Sequence, residues 1–150
     1  MAKIEILNTA TIIPIQDFLS PLKMEKVIKA RQQNTPILPA AVRKIDDLYY
    51  TLDGSHRLSL KDLLTGISGA IICEDETDGF SENLFPYADL REIIEVNNRI
   101  KMNFHRCVLY AAETKKKGIT SYTGLREKHG IRTYSDAIDF ARERITRRTA

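Results

Sequence analysis

The chain has 150 residues, of which 43% are hydrophobic and 29% are charged. This length and composition predict a folded protein with a hydrophobic core and exclude global disorder. The net charge of +3 indicates no partner by itself, but residues 113–150 contain ten lysines and arginines against five acidic residues, which concentrates positive charge near the C-terminus.

The apolar segments and the cysteines of the sequence indicate the cellular compartment. No apolar run approaches membrane-spanning length, and the first residues, MAKIEILNT, lack the apolar segment of a signal peptide. Cys73 and Cys107 lie in apolar surroundings, without the CxxC spacing of a redox or metal motif. We expect buried free thiols in a reducing compartment, hence a cytoplasmic protein with no membrane partner.

The first half of the chain predicts alternating strands and helices. Ser20 followed by Pro21 predicts a helix start, and Pro36 predicts its end. Gly66 predicts the end of a second helix, which begins after Asp53. In chain order, the elements predicted here are strands within 3–15, a helix from 21, a strand at 37–43, a charged turn at 44–47, a strand at 49–53, a short helix, a strand at 68–73 and a loop at 74–83.

The second half predicts helices only. Apolar residues at helical spacing from Asp89 to Lys117 predict one long helix. Thr133 and Asp136 resemble a capping box at the start of the last helix. The two shorter helices are predicted at 121–128 and 134–145, with Gly130 between them. The predicted fold class is α+β, with a mixed α/β part at residues 1–80 and a helical part at 86–150.

One turn, in the segment YTLDGSHRL, concentrates polar chemistry between a predicted strand and a predicted helix. A strand-to-helix turn leaves the first N–H groups of the helix free to bind an anion. The five residues of the turn are Asp53, Gly54, Ser55, His56 and Arg57.

Each residue type in the turn suits a phosphate ligand. Gly54 allows close backbone approach, and the Arg57 guanidinium matches phosphate geometry. Ser55 can bind an oxyanion, and His56 can donate or carry a proton. Asp53 would repel phosphate unless it accepts a proton from a hydroxyl or holds a Mg²⁺ ion. The structural alternative, an Asp-Gly surface turn with solvent-facing side chains, stays open at this point.

The stretch PILPAAVRKIDDLYYTLDGSHRLSLKDLLTG resembles the signature of the ParB/sulfiredoxin superfamily. The resemblance extends over roughly residues 3–78. It implies a ParB/sulfiredoxin-like fold in which this turn binds nucleotide phosphates. Members of the superfamily include CTP-using partition proteins, ATP-using sulfiredoxins, free serine kinases and nucleases.

Departures from these families narrow the expected activity. Ser55 stands where sulfiredoxins carry the reactive cysteine, which argues against sulfinic acid reduction. Partition proteins typically have a Gly-Glu-Arg-Arg turn, whereas the Asp-Gly-His-His-Arg turn of free serine kinases is closer to this one. Those kinases also have a His-Glu-Glu type segment near the N-terminus, where this chain offers only Asp17 as the acid.

The resemblance implies an ATP- or ADP-dependent phosphotransferase or NTPase that acts on a small hydroxyl substrate with Mg²⁺. Asp53 and His56 are then the expected catalytic residues, and residues 54–57 the nucleotide-binding ones. CTP is the other nucleotide that the superfamily uses.

The alternative is a nucleotide-regulated, ParB-type DNA-binding protein. The two C-terminal helices could form a helix-turn-helix-like unit with phosphate contacts from Arg126, Lys128 and Arg132. A helical subdomain with a solvated charged face explains the same residues. The sequence leaves a homodimer open, and it predicts no resident metal site, because His105 and His129 have no acidic or cysteine partners at ligand spacing.

Overall fold

The structure, a computed structural model, describes residues 3–35, 38–81 and 89–149, with backbone only from 144 onwards. The strands are β1 (Lys3–Asn8), β2 (Ile12–Ile13), β3 (Ala40–Ile45), β4 (Leu48–Asp53) and β5 (Ile67–Ile72). The helices are α1 (Pro21–Gln32), α2 (Ser55–Leu64), α3 (Leu90–Phe104), α4 (Cys107–Lys116), α5 (Tyr122–Lys128) and α6 (Tyr134–Thr149).

The strands form one open, mixed sheet in the order β1-β5-β3-β4-β2. β5 lies antiparallel to β1 and parallel to β3, while β4 lies antiparallel to β3 and parallel to β2. The α+β class predicted from the sequence is therefore confirmed at the level of a mixed sheet covered by helices.

Two hydrophobic cores cover the two faces of this sheet. Neighbouring strand residues alternate between them: Ala40 and Val42 belong to one core, and Ala41 to the other. This alternation follows from the opposite direction of successive side chains in a strand. The first core receives side chains from α1, α2, α5 and α6, and the second from α3 and the start of α4.

The first core joins the two parts that the sequence predicts at 1–80 and 86–150. Leu7 and Met24 share it with Tyr122 and Phe140. Tyr122 is fully buried, although it lies in the predicted helical part. The first turn of α2 therefore packs on elements from both halves of the chain.

Local signals place the helix ends as predicted. The Ser20 hydroxyl accepts a hydrogen bond from the Lys23 N–H and caps α1. Gly66 follows α2 with a positive φ of 73°. At the start of α6, the Thr133 hydroxyl accepts from the Asp136 N–H while the Asp136 carboxylate accepts from the Thr133 N–H, which completes the predicted capping box.

The predicted turn at 44–47 is too long. β3 begins at Ala40 rather than at residue 37, which lies outside the described residues, and continues through Ile45. Asp46 and Asp47 alone form the turn to β4, both with positive φ. Two successive positive φ values match the two-residue hairpin turn that follows strand twist.

The long helix predicted from Asp89 is interrupted. α3 ends at Phe104 and α4 begins at Cys107, with His105 and Arg106 between the two helices. Arg43 on β3 donates a hydrogen bond of 2.7 Å to the Phe104 carbonyl, and its guanidinium lies 4.1 Å from the Phe104 ring centre. Asn103 donates to the Leu52 carbonyl on β4. The sheet thus binds the end of α3 in place of a further helical turn, and helical spacing alone could not reveal this.

Within the described residues, none of the helices combines the length and apolar character needed to cross a membrane.

Candidate phosphate-binding site

The turn between β4 and α2 has the backbone geometry expected of an anion site. Gly54 occupies the N-cap position of α2 with a φ of +104° and has no side chain to cap the helix. A Cβ added at Gly54 would lie 2.8 Å from an Arg57 guanidinium nitrogen and 3.2 Å from the Ala40 Cα. The N–H groups of the first turn therefore have no side-chain cap, and the helix dipole favours an anion there.

Asp53 lies between two guanidinium groups. Its Oδ2 accepts from Arg57 Nη2 at 2.7 Å, and its Oδ1 accepts from Arg99 Nε at 2.6 Å. The side chains of Asp53 and Arg57 are 9% and 15% exposed, while that of Arg99 on α3 is 46% exposed. The carboxylate thus occupies a place where two cations converge beside a helix N-terminus.

One donor of this cluster is unused. Among the described residues, the buried Nε of Arg57 has no hydrogen-bond acceptor. A buried guanidinium N–H without an acceptor costs free energy, and an incoming anion could accept from it.

Ser55 faces the protein interior rather than the open side of the turn. Its hydroxyl lies 3.1 Å from the Tyr122 hydroxyl, which lies 2.6 Å from the Thr51 hydroxyl. Thr51 donates its one proton to the Ile13 carbonyl, so Tyr122 must donate to Thr51, and Ser55 to Tyr122. Burial raises the pKa of Tyr122 to about 12, which keeps this hydroxyl protonated.

His56 is also buried and has a protein partner. Its Nε2 accepts a hydrogen bond of 2.8 Å from the Ser20 N–H. Burial, reinforced by Lys23 and Arg57, lowers the pKa of His56 to about 4. The imidazole is therefore neutral at pH 7 with its proton on Nδ1, and its Nε2 cannot carry a proton while it holds Ser20.

Asp17, the predicted additional acid, lies in a different cluster. Its carboxylate pairs with Lys117 at 3.2 Å and with Lys128 at 3.5 Å. The hydrogen bond from Lys117 lowers the pKa of Asp17. Among the described residues, no hydrogen bond or ion pair joins Asp17 to Asp53.

The three predicted DNA contacts have different surroundings. Arg126 donates to the Asp62 carboxylate at 2.8 Å and to the Ile131 carbonyl, and its side chain is only 13% exposed. Lys128 donates to the Asp17 carbonyl at 2.6 Å. Arg132 is exposed at the start of the connection into α6.

The sequence also raised the questions of a metal site and of reactive cysteines. Across the described ranges, no three His, Cys, Asp or Glu side chains cluster as ligands for an ion. Both cysteines are free and buried, as predicted, and burial raises the pKa of Cys73 to about 12. These thiols therefore do not resemble a reactive cysteine.

The chain matches no protein-family model, no curated protein and no solved structure.

Sequence reasoning missed Arg99 and Tyr122 as neighbours of the turn. Arg99 follows Asp53 by 46 positions and Tyr122 follows Ser55 by 67. Arg99 occupies an exposed position of a helix, where a charged residue needs no explanation. No local pattern in the sequence links either residue to the turn.

Proposed function

We propose that the chain binds the phosphate groups of a nucleotide at the N-terminus of α2, in a ParB/sulfiredoxin-like domain. The observation that carries the proposal is the convergence of Arg57 and Arg99 beside an uncapped helix N-terminus at Gly54. Guanidinium groups and helix N–H groups are both strong phosphate ligands.

The proposal includes an exchange of partners at Asp53. A phosphate competes with the Asp53 carboxylate for the two guanidinium groups. Arg99 is the group able to exchange, because almost half of its side chain is exposed, whereas Arg57 is held in the turn. Arg99 therefore leaves the carboxylate when the phosphate arrives, and Arg57 offers its free Nε.

This exchange gives Asp53 its chemical role. Once Arg99 has moved to the phosphate, Asp53 Oδ1 no longer accepts a hydrogen bond from it and is free to accept another one. Asp53 can then accept the proton of a water or a small hydroxyl substrate, as an NTPase or a phosphotransferase requires. We assign Ser55 and His56 to holding the turn, through Tyr122 and Ser20 respectively.

The proposed nucleotide is ATP or ADP, with CTP as the other candidate, and Mg²⁺ accompanies it. Mg²⁺ is commonly held by one or two carboxylates together with substrate phosphates. Asp53 fits that pattern as a carboxylate ligand, in place of its role as a base. When bound, the ion would neutralise phosphate charge.

A thermal-shift screen of the full chain tests the proposal. ATP, ADP, CTP and GTP are compared with and without Mg²⁺, and adenosine serves as the control that lacks phosphate. A ligand at 100 times its Kd stabilises the native state by about 2.7 kcal/mol. We expect at least one nucleotide to raise Tm while adenosine does not. Equal shifts with ATP and adenosine, or no shift with any nucleotide, would contradict phosphate binding.

DNA binding by α5 and α6 is the second candidate function. The tight connection at Gly130, with a φ of +73°, and the exposed Arg132 favour it, whereas Arg126 is engaged with Asp62. Arg132→Gln should weaken DNA binding and reduce its salt dependence by about one phosphate contact. Arg91→Gln on α3 is the matched control, since the Arg91 side chain is 89% exposed.

A further inference from the structure

Two histidines hold the segment that leads into α1. His129 Nε2 accepts from the Leu19 N–H at 3.0 Å, and His56 Nε2 accepts from the Ser20 N–H at 2.8 Å. The imidazoles come from the end of α5 and from the first turn of α2, yet they bind consecutive backbone N–H groups. Each bond exists only while the imidazole is neutral, because a protonated Nε2 has no lone pair to offer.

Ser20 makes this arrangement important for α1. It is the N-cap of that helix, and its hydroxyl and carbonyl accept from Lys23 and Met24 N–H groups. The His56 bond fixes the backbone of the capping residue itself. Losing both imidazole bonds would free the cap and fray the first turn.

The charged neighbours act mostly against protonation of His56, whereas those of His129 act in both directions. Burial is the largest influence and lowers the pKa of both. The charged or titratable neighbours of His56 are Lys23 on α1, Arg57 on α2, Asp53 on β4 and His129, of which only Asp53 favours the cation. Those of His129 are Lys128 on α5, which opposes the cation, and Glu143 on α6 and Asp17 before α1, which favour it.

The same segment has a second attachment that does not depend on histidine. Asp17 pairs with Lys117 and Lys128, and Lys128 also donates to the Asp17 carbonyl. The hydrogen bond from Lys117 keeps the pKa of Asp17 below that of an ordinary carboxyl group. Mild acid therefore acts on the imidazoles and leaves this ion-paired anchor in place.

We propose that His56 and His129 form an acid-sensitive clamp that releases Leu19, Ser20 and the first turn of α1 when the imidazoles take up protons. The clamp does not rest on nucleotide binding. It confines acid-induced opening to the segment before α1 and the first turn of that helix, while the sheet and the rest of α2 stay folded.

Amide hydrogen exchange of the full chain, measured residue by residue by NMR, tests the clamp. Exchange rates are corrected for their intrinsic pH dependence and compared at about pH 7 and about pH 4.5. A released imidazole has an ordinary pKa near 6.5, against about 4 for His56 in the folded chain. We therefore expect protection of the Ser20 amide to fall by about tenfold or more. The Thr65 amide, bonded to the Lys61 carbonyl in α2, is the internal control and should keep its protection.

Glutamine substitutions separate the two bonds, because the glutamine side chain offers an acceptor oxygen that does not titrate in this range. His129→Gln should remove the pH dependence of Leu19 protection and leave that of Ser20. His56→Gln should do the reverse. His105→Gln is the matched control, since that exposed imidazole pairs with Glu76 away from the segment.

The clamp is overturned if the Leu19 and Ser20 amides, like the Thr65 amide, keep their protection between about pH 7 and about pH 4.5. A His129→Gln chain in which Leu19 still loses protection in acid overturns it as well. If His56→Gln does not fold, the wild-type chain at the two pH values and the His129→Gln chain still test the clamp.

Discussion

At Gly54 the backbone and the packing both require a residue without a side chain. Its φ is +104°, and a Cβ there would lie 2.8 Å from Arg57 Nη2, closer than real Cβ atoms come, and 3.2 Å from Ala40, tighter than most Cβ contacts. Gly66 shares the positive φ, at +73°, but a Cβ there meets no atom within 4 Å. Substitutions at both glycines therefore distinguish the cost of backbone strain, which they share, from the cost of crowding, which only Gly54 has.

Gly54→Ala should lower the free energy of unfolding by about 2–4 kcal/mol, because left-handed strain and overpacking add. Gly66→Ala should cost about 1 kcal/mol, from the backbone strain alone. Urea denaturation monitored by circular dichroism measures both. A Gly54→Ala chain no less stable than Gly66→Ala would show that the turn has room that the structure does not give it.

At the scale of elements, Asp62 on α2 connects three parts of the chain. Its carboxylate accepts from Thr9 at 2.6 Å, and from Thr123 and Arg126 on α5 at 2.8 Å each. Burial raises the pKa of Asp62, but these hydrogen bonds outweigh it and leave the pKa below its ordinary value. Since the folded pKa is the lower one, Asp62 stabilises the fold above the unfolded carboxyl pKa, and this contribution is lost as the pH falls.

Asp62→Asn should destabilise the protein by about 2–4 kcal/mol at pH 7, because it leaves the nearly buried Arg126 without its counterion. Its loss of stability between neutral and acidic pH should be smaller than that of wild type. Asp139→Asn, at an exposed position of α6, should change stability by less than about 0.5 kcal/mol. Equal stability of the two variants would mean that Arg126 finds another partner or does not need one.

The elements predicted from the sequence are those whose ends are set locally. Ser20, Gly66 and the Thr133–Asp136 pair act within three or four residues, so a local pattern identifies them. The break after α3 depends on Arg43, a residue 61 positions earlier, and no helical pattern contains that information.

The candidate site likewise contains residues that the sequence identifies and residues that it does not. Residues 53–57 could be identified because they are adjacent in sequence. Their partners could not be identified, because Arg99, Tyr122 and Ser20 reach the turn only through tertiary packing.

At the scale of the whole molecule, the first hydrophobic core contains residues from both ends of the chain. Leu7 and Met24 share it with Leu125, Ile131 and Phe140. Elements that share one core unfold together, as small domains usually do. Removing the chain after Lys117 would therefore expose the surfaces of α1 and α2 on which α6 and α5 pack.

Hydrogen exchange followed by mass spectrometry along a urea series tests this cooperativity. Peptides from β3–β5 and from α5–α6 should lose protection at the same urea concentration. Two separate midpoints would instead show that the helical part folds by itself.

Arg99 and Arg57 are proposed to receive a phosphate at the N-terminus of α2. Isothermal titration calorimetry tests it, using the nucleotide that gives the largest thermal shift, on wild type, Arg99→Gln and Lys101→Gln. Arg99 is the sharper choice because its side chain is 46% exposed, so its loss leaves the core intact, and Lys101 is an exposed cation on the same helix. Arg99→Gln should raise Kd by about tenfold or more, as expected for losing a hydrogen bond to a charged group, while Lys101→Gln keeps Kd within about twofold of wild type. An Arg99→Gln chain that binds the nucleotide as tightly as wild type would show that Arg99 does not contact the phosphate.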